Sequence, residues 1–160
     1  MSTAPQTKPA EENRKALTKK WGDEIMAVGF TAVPDILLKR MAVLNISPME
    51  MVVILQILSY WWSADQLPFP SKAKIAAAIG CHEKTVQQAI TRLVKLGFIK
   101  RQERRREQDR NDSNVYDFAP LIAILKPEAI KEAEEQAAHR EKKLQRMKPP
   151  VKRKLVAVKT

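Results

Sequence analysis

Residues 71–101 read SKAKIAAAIGCHEKTVQQAITRLVKLGFIKR, and this stretch decides the fold. Ser71, a residue type preferred at helix N-caps, precedes an Ala-rich segment that runs to Gly80. A second helical segment begins within three residues of this glycine and ends at Gly97, where glycine commonly terminates a helix. An apolar pair and then basic residues follow. The predicted order is therefore helix, tight turn, helix and strand.

The second helical segment, predicted over 83–96, has two faces of different chemistry. At about 100° per residue, one face gathers apolar side chains that we expect to be buried; these are Val86, Ala89, Ile90, Leu93 and Val94. The opposite face and its shoulders carry no carboxylate and consist of Lys84, Thr85, Gln87, Gln88, Thr91, Arg92 and Lys95. An ordinary amphipathic helix with a solvated face is the alternative interpretation of this segment alone.

These polar side chains suit the readout of DNA. Two helices joined by a turn of three to four residues commonly present side chains to the major groove. Glutamine can bond both edge atoms of adenine, arginine those of guanine, and threonine either of these bases. We therefore predict base contacts by Lys84, Thr85, Gln87, Gln88, Thr91 and Arg92.

The charge distribution favours a polyanionic partner. The chain of 160 residues has a formal net charge of +11, with the excess after the second helix and at both tails. We predict phosphate or wing contacts by Ser71, Lys72, Lys74, His82, Lys95, Lys100, Arg101, Arg104, Arg105, Arg106 and Arg110. A membrane surface is disfavoured, because no basic segment has a strong apolar stripe.

The segments before this motif predict further helices. Residues 29–33 could form a short strand, and Pro34 could open a helix. Ser47, Pro48 and Glu50 form the signature of a capped helix start, and the following apolar run to about residue 63 predicts a buried central helix. Trp61 and Trp62, at its end, are expected in the core or in an oligomer contact.

The segments after the motif predict a hairpin and one more helix. Residues 98–104 and 114–118 can pair as two strands joined by a long basic loop. Residues 126–147 are rich in Ala, Glu and Lys and predict a helix, whose small residues could pack against a partner helix. Residues 1–20 are predicted to be a disordered arm, and residues 148–160 a flexible basic tail.

Residues 29–125 resemble the winged helix-turn-helix proteins of bacterial plasmids, phages and mobile elements. The matching motifs are GFTAVP at 29–34, the helix end at 60–62, Pro70-Ser71, Ile75-Ala76, Ile79-Gly80, Thr85-Val86-Gln87, Leu96-Gly97-Phe98-Ile99 and Asn114-Val115-Tyr116-Asp117-Phe118. The resemblance implies a mostly α fold with a small β-hairpin wing, as one DNA-binding domain over 21–125. At Cys81-His82 the sequence departs from the usual serine followed by a small or basic residue.

Other classes of function have little support in the sequence. A single cysteine, Cys81, excludes an intramolecular disulfide and a Cys-rich zinc site. Its neighbour His82 makes no convincing catalytic or metal-binding pair with it, and the chain has no phosphate-binding glycine loop. We expect no enzymatic activity, no cofactor, no metal site, no small-molecule ligand and no membrane partner.

The sequence thus predicts a cytoplasmic, nucleoid-associated protein that binds double-stranded DNA sequence-specifically as a homodimer. The first expectation is a transcriptional regulator, a repressor, of a plasmid or another mobile element in bacteria. A plasmid or phage replication initiator, or an accessory factor for one, is the alternative. A protein-interaction adaptor that reuses the winged-helix fold is the second.

Overall fold

The computed structural model describes residues 8–102 and 114–147, which form seven helices and one antiparallel hairpin. The elements are α1 (Lys8–Trp21), α2 (Asp23–Val28), α3 (Asp35–Lys39), α4 (Pro48–Leu58), α5 (Lys72–Ile79), α6 (Glu83–Lys95), β1 (Lys100–Gln102), β2 (Val115–Asp117) and α7 (Ala119–Met147). This order confirms the predicted fold, a mostly helical winged helix-turn-helix with a small hairpin.

Helix α4 lies at the centre of the fold. Val53, Ile54 and Ile57 are fully buried, and the helix packs against both α5 and α6. The predicted capping box starts it: the Glu50 amide donates to Ser47 Oγ at 3.3 Å, and Glu50 Oε2 accepts from the Ser47 amide at 2.7 Å. The helix ends at Leu58, earlier than the apolar run predicts.

The turn between α5 and α6 depends on Gly80. The Ser71 hydroxyl caps α5 by accepting from the Lys74 amide, and the carbonyl of Ala76 accepts from the amides of Gly80 and Cys81 at 2.9 and 3.0 Å. Gly80 adopts φ 78° and ψ 37°, a left-handed conformation that costs glycine little and other residues more. This turn places α6 across α5 three residues later.

The wing is anchored at its base. Lys100 pairs with Asp117, Arg101 with Tyr116 and Gln102 with Val115. Tyr116 is fully buried, and its amide donates to the Pro68 carbonyl at 2.9 Å. Trp61 stacks on Phe118 with ring centroids 5.9 Å apart, which confirms a core role for Trp61.

The side chain of Trp62 is not in the core. It is 87% exposed, and its indole N–H donates to the Ser59 carbonyl at 2.7 Å. The core interpretation is therefore wrong for this residue, because α4 ends four residues earlier and the chain turns outward. An oligomer contact by Trp62 stays a prediction.

Helix α7 begins earlier than the sequence predicts. It starts at Ala119, whose amide donates to Asp117 Oδ1 at 2.8 Å, and Leu121 and Leu125 join the core. Pro127 therefore lies inside the helix and does not start it. The buried first turns and the helix-forming residues after Pro127 hold the helix together across the missing N–H.

Ion pairs join the middle of α7 to α3. Arg40 Nε lies 3.2 Å from Glu128, and Arg40 Nη2 lies 3.3 Å from Glu132. Lys39 Nζ lies 3.2 Å from Glu132 as well. These ion pairs use Glu128 and Glu132 of α7 within the fold.

The N-terminal expectations need three corrections. Helix α1 occupies Lys8–Trp21, most of the predicted disordered arm, because its Ala, Glu and Lys residues favour helix and α2 packs against it. Residues 29–33 form no strand, since no other strand lies beside them within the described residues. Pro34 is the residue before α3, which ends at Lys39. Residues 1–7, 103–113 and the tail 148–160 lie outside the described residues.

Within residues 8–102 and 114–147, none of the helices is long and apolar enough to cross a membrane.

We predict that Gly80→Ala destabilises the protein by about 1–2 kcal/mol, because it puts a Cβ on a left-handed residue. Gly80→Asn is the matched control, and its loss should be smaller since asparagine tolerates this conformation. Urea denaturation followed by circular dichroism measures both. Equal losses for the two variants would contradict the assigned turn.

Candidate nucleic-acid interface

The structure confirms the two faces predicted for α6. The apolar face is buried through Val86, Ala89, Ile90 and Leu93. The opposite side lines one open groove with Lys84, Gln87, Gln88, Thr91, Arg92 and Lys95, a set that we call the open face. Five of these side chains are exposed and Arg92 is half-buried. Thr85, another predicted base reader, is half-buried and does not line this groove.

The start of α5 lies beside the open face. Lys72 Nζ donates to Gln87 Oε1 at 3.2 Å, which links the first turn of α5 to α6. The Gln87 carbonyl oxygen is engaged in this way, and its amide N–H groups remain to face a partner. Lys74 is exposed nearby, while Ser71 acts as the helix cap. A phosphate contact by either residue stays a prediction.

Arg92 is held from behind by a buried carboxylate. Arg92 Nη1 donates to Glu50 Oε1 at 2.6 Å and to Glu50 Oε2 at 2.5 Å, and Arg92 Nη2 donates to the Asn45 carbonyl at 3.1 Å. Glu50 is only 3% exposed. The predicted base reader is thus also the link between α6 and the start of α4.

Sequence reasoning identified Glu50 only as a capping residue. The capping box signals a local role, three residues from Ser47, and says nothing about a partner 42 residues away. A glutamate as the one charged residue of a largely apolar helix is the signal that could have suggested a buried ion pair.

Glu50 is ionised at neutral pH in this setting. Burial acts to raise the pKa of its carboxyl, but the hydrogen bonds from Arg92 and Ser47 and the charge of Arg92 outweigh it. The pKa is therefore held below the ordinary value of 4.5. The charge of Arg92 is balanced by Glu50, whereas Lys84 and Lys95 on the same face form no ion pair with any described residue.

The structure describes the base of the wing, where β1 and β2 pair. Lys100 and Arg101 are exposed on β1. Burial raises the pKa of the Tyr116 hydroxyl, and Asn114 and Arg101 partly oppose this shift. Arg104, Arg105, Arg106 and Arg110 lie outside the described residues, so their wing contacts stay predictions.

The two turn residues before α6 differ in exposure. Cys81 is half-buried against the core, and His82 is the exposed residue that precedes α6, with no side-chain capping bond. No group of three potential metal ligands occurs in the part of the chain that the structure describes.

We predict that Glu50→Gln lowers the free energy of unfolding by about 1–3 kcal/mol at pH 7, because a buried ionic hydrogen bond is lost. The folded-state pKa is depressed, so this contribution is present at neutral pH and disappears as pH falls through that pKa. The wild-type and variant stabilities should therefore converge in acid.

Urea titrations between pH 7 and pH 3 test this dependence. Glu134→Gln, at an exposed site on α7, is the control and should change stability little at any pH. A constant difference between wild type and Glu50→Gln across the whole pH range would contradict the assigned ion pair.

Comparison with known proteins supports the assignment of this region. Residues 44–99, about a third of the chain, match the model of a helix-turn-helix domain family. This range contains α4, α5, α6 and the approach to the wing. No curated protein matches the chain significantly.

Two solved structures are similar to the chain. The N-terminal domain of DnaD protein from Geobacillus kaustophilus HTA426 is 24% identical with a TM-score of 0.52, over 74% of this chain and 96% of that chain. The transcriptional regulator PA3341 is 16% identical with a TM-score of 0.37, over 85% of this chain and 93% of that chain. The chain thus contains a helix-turn-helix domain, a domain type that indicates DNA binding.

Proposed function

We propose that this protein binds double-stranded DNA sequence-specifically and regulates transcription, as a repressor encoded by a plasmid or another mobile element of bacteria. The open face of α6 carries this proposal. It combines amide, hydroxyl and cationic groups on a helix of 13 residues, within the range that matches a helix-turn-helix domain. It would act in the cytoplasm, associated with the nucleoid.

Helix α6 would lie in the major groove. The amide groups of Gln87 and Gln88 and the hydroxyl of Thr91 are exposed there and can bond base edges. Lys84, at the start of the helix, would contact a base edge, and Lys95, at its end, would contact a phosphate. Lys72 and Lys74 supply charge at the start of α5, where backbone N–H groups also favour phosphate.

The wing would add a second contact with the duplex. Lys100 and Arg101 are exposed on β1, which begins five residues after the end of α6, and the segment 103–113 with its four arginines follows in the sequence. Contacts of this kind with phosphates carry no sequence information, but they strengthen binding and make it depend on salt.

Sequence specificity tests the proposal. Duplexes selected from a random pool should converge on one sequence, and Gln88→Ala should then lose about 1–3 kcal/mol of discrimination at one base pair. Its binding to unrelated DNA should change little. Gln136→Ala, on α7, is the matched control and should retain full discrimination.

If Gln88→Ala weakened binding to all DNA sequences equally, that result would contradict base reading by α6. Failure of the pool to converge, with weak binding throughout, would instead support an interaction adaptor. The position of the selected sequence in the source replicon separates the remaining candidates, since a repressor binds beside a promoter and a replication initiator binds repeats at an origin.

We also propose that the protein is a homodimer joined through α1, α2 and the segment that follows. Trp21, Ile25, Val28 and Phe30 are 53%, 57%, 91% and 59% exposed. Clustered apolar exposure of this kind marks interaction surfaces, and two half-sites improve specificity. Helix α7 offers a second apolar surface, on which Ile130, Leu144 and Met147 are exposed.

Light scattering should therefore give about twice the chain mass of 18.2 kDa. The double variant Trp21→Ser, Ile25→Ser should be monomeric at the same concentration, because apolar burial between the copies is lost. Leu144→Ser is the control and should remain dimeric. A monomeric wild type, or a monomer produced by Leu144→Ser alone, would overturn this placement of the interface.

A further inference from the structure

Arg92 has two environments at once. Its side chain lines the open face and is 40% exposed, while Glu50 and the Asn45 carbonyl hold it on the inner side. A solvated arginine on a DNA-binding surface would adopt many rotamers and lose that freedom on binding. The hydrogen bonds to Glu50 and Asn45 remove much of this freedom before a partner binds.

Part of the Arg92 guanidinium is available to a binding partner. The group has five N–H donors: one on Nε and two on each terminal nitrogen. Nη1 donates to both oxygens of Glu50, and Nη2 uses one hydrogen for Asn45. Among the described residues, no partner takes the Nε hydrogen or the second Nη2 hydrogen. A group with two neighbouring acceptors is the natural partner for such donors.

We propose that Glu50 is a positioning residue for DNA recognition, which holds Arg92 so that its remaining N–H groups face a paired acceptor on the duplex. This inference rests on the proposed function. The shared chemistry of the acceptor is two adjacent oxygen or nitrogen atoms, as found on the N7 and O6 edge of guanine and on a phosphate group.

The negative charge of Glu50 separates a positioning role from a purely electrostatic effect, because the two roles predict opposite changes in binding. A carboxylate near a polyanion is repelled, so its removal by Glu50→Gln should strengthen binding if long-range charge were its only effect. A positioning role predicts the opposite sign. Glu50→Gln removes the charge and one of the two acceptor oxygens, so it loosens the hold on the guanidinium and should weaken binding, although Glu50 itself is only 3% exposed.

The test is a double-mutant cycle on a selected duplex, measured with folded protein well below its melting temperature. Glu50→Gln should weaken binding about two- to tenfold in the wild-type background, the value of one ordinary hydrogen bond. In an Arg92→Ala background the same change should not weaken binding, because no guanidinium remains to be positioned.

Several results would overturn the inference. Stronger or unchanged binding by Glu50→Gln would do so, as would equal weakening in both backgrounds. If Glu50→Gln does not fold, Glu50→Asp takes its place; it keeps the charge but shortens the reach, and the same pattern is expected. A wild-type protein that does not bind any duplex would refute the proposed function itself, which is a separate outcome.

Arg92→Lys distinguishes the two acceptors, both of which fit the inference. If Arg92 contacts guanine, Arg92→Lys should lose discrimination at one G·C pair, because lysine lacks the planar fork. If it contacts phosphate, Arg92→Lys should bind all sequences with a similar salt dependence, whereas Arg92→Ala should reduce the salt slope by about one.

Discussion

The buried contact between α4 and α6 is the constraint on which the rest of the structure depends. The apolar face of α6, including Ile90 and Leu93, packs against Val53, Ile54 and Ile57 of α4. This packing fixes which side of α6 remains outside. Glu50 and Arg92 add a directional bond at the edge of the contact, so the rotation of α6 is set by apolar burial and by one ion pair together.

The wing and α7 are positioned from the same centre. Phe98 and Ile99, which follow α6, are buried. The Phe98 carbonyl accepts from the Leu121 amide at 3.1 Å. The hairpin base is thereby held between α6 and the first turn of α7. A movement of α6 would have to carry the wing base with it, which suits a surface in which both elements contact one rigid duplex.

The central motif is predictable because its signals are local. Ser71 and Gly80 mark the ends of α5 by capping and by backbone conformation, and the 3.6-residue period of α6 separates Val86 from Gln88. The sequence therefore predicts correctly that the open face is exposed. Its use in DNA contact belongs to the proposed function.

The missed features depend on contacts between distant residues. No period in the sequence pairs Glu50 with Arg92, and the stacking of Trp61 on Phe118 joins residues that are far apart in the sequence. The neighbouring Trp62 is also a tryptophan at the end of the apolar run. It is exposed, however, because helix α4 ends before it. The continuation of α7 across Pro127 likewise depends on the packing of Leu121 and Leu125.

Methylation interference on a selected duplex tests most directly the central claim, that α6 enters the major groove. Methyl groups on guanine N7 project into the major groove, and those on adenine N3 into the minor groove. Guanine N7 methylation should block binding within each half-site. Binding that tolerates every N7 methyl group and is blocked only by adenine N3 methylation would contradict it.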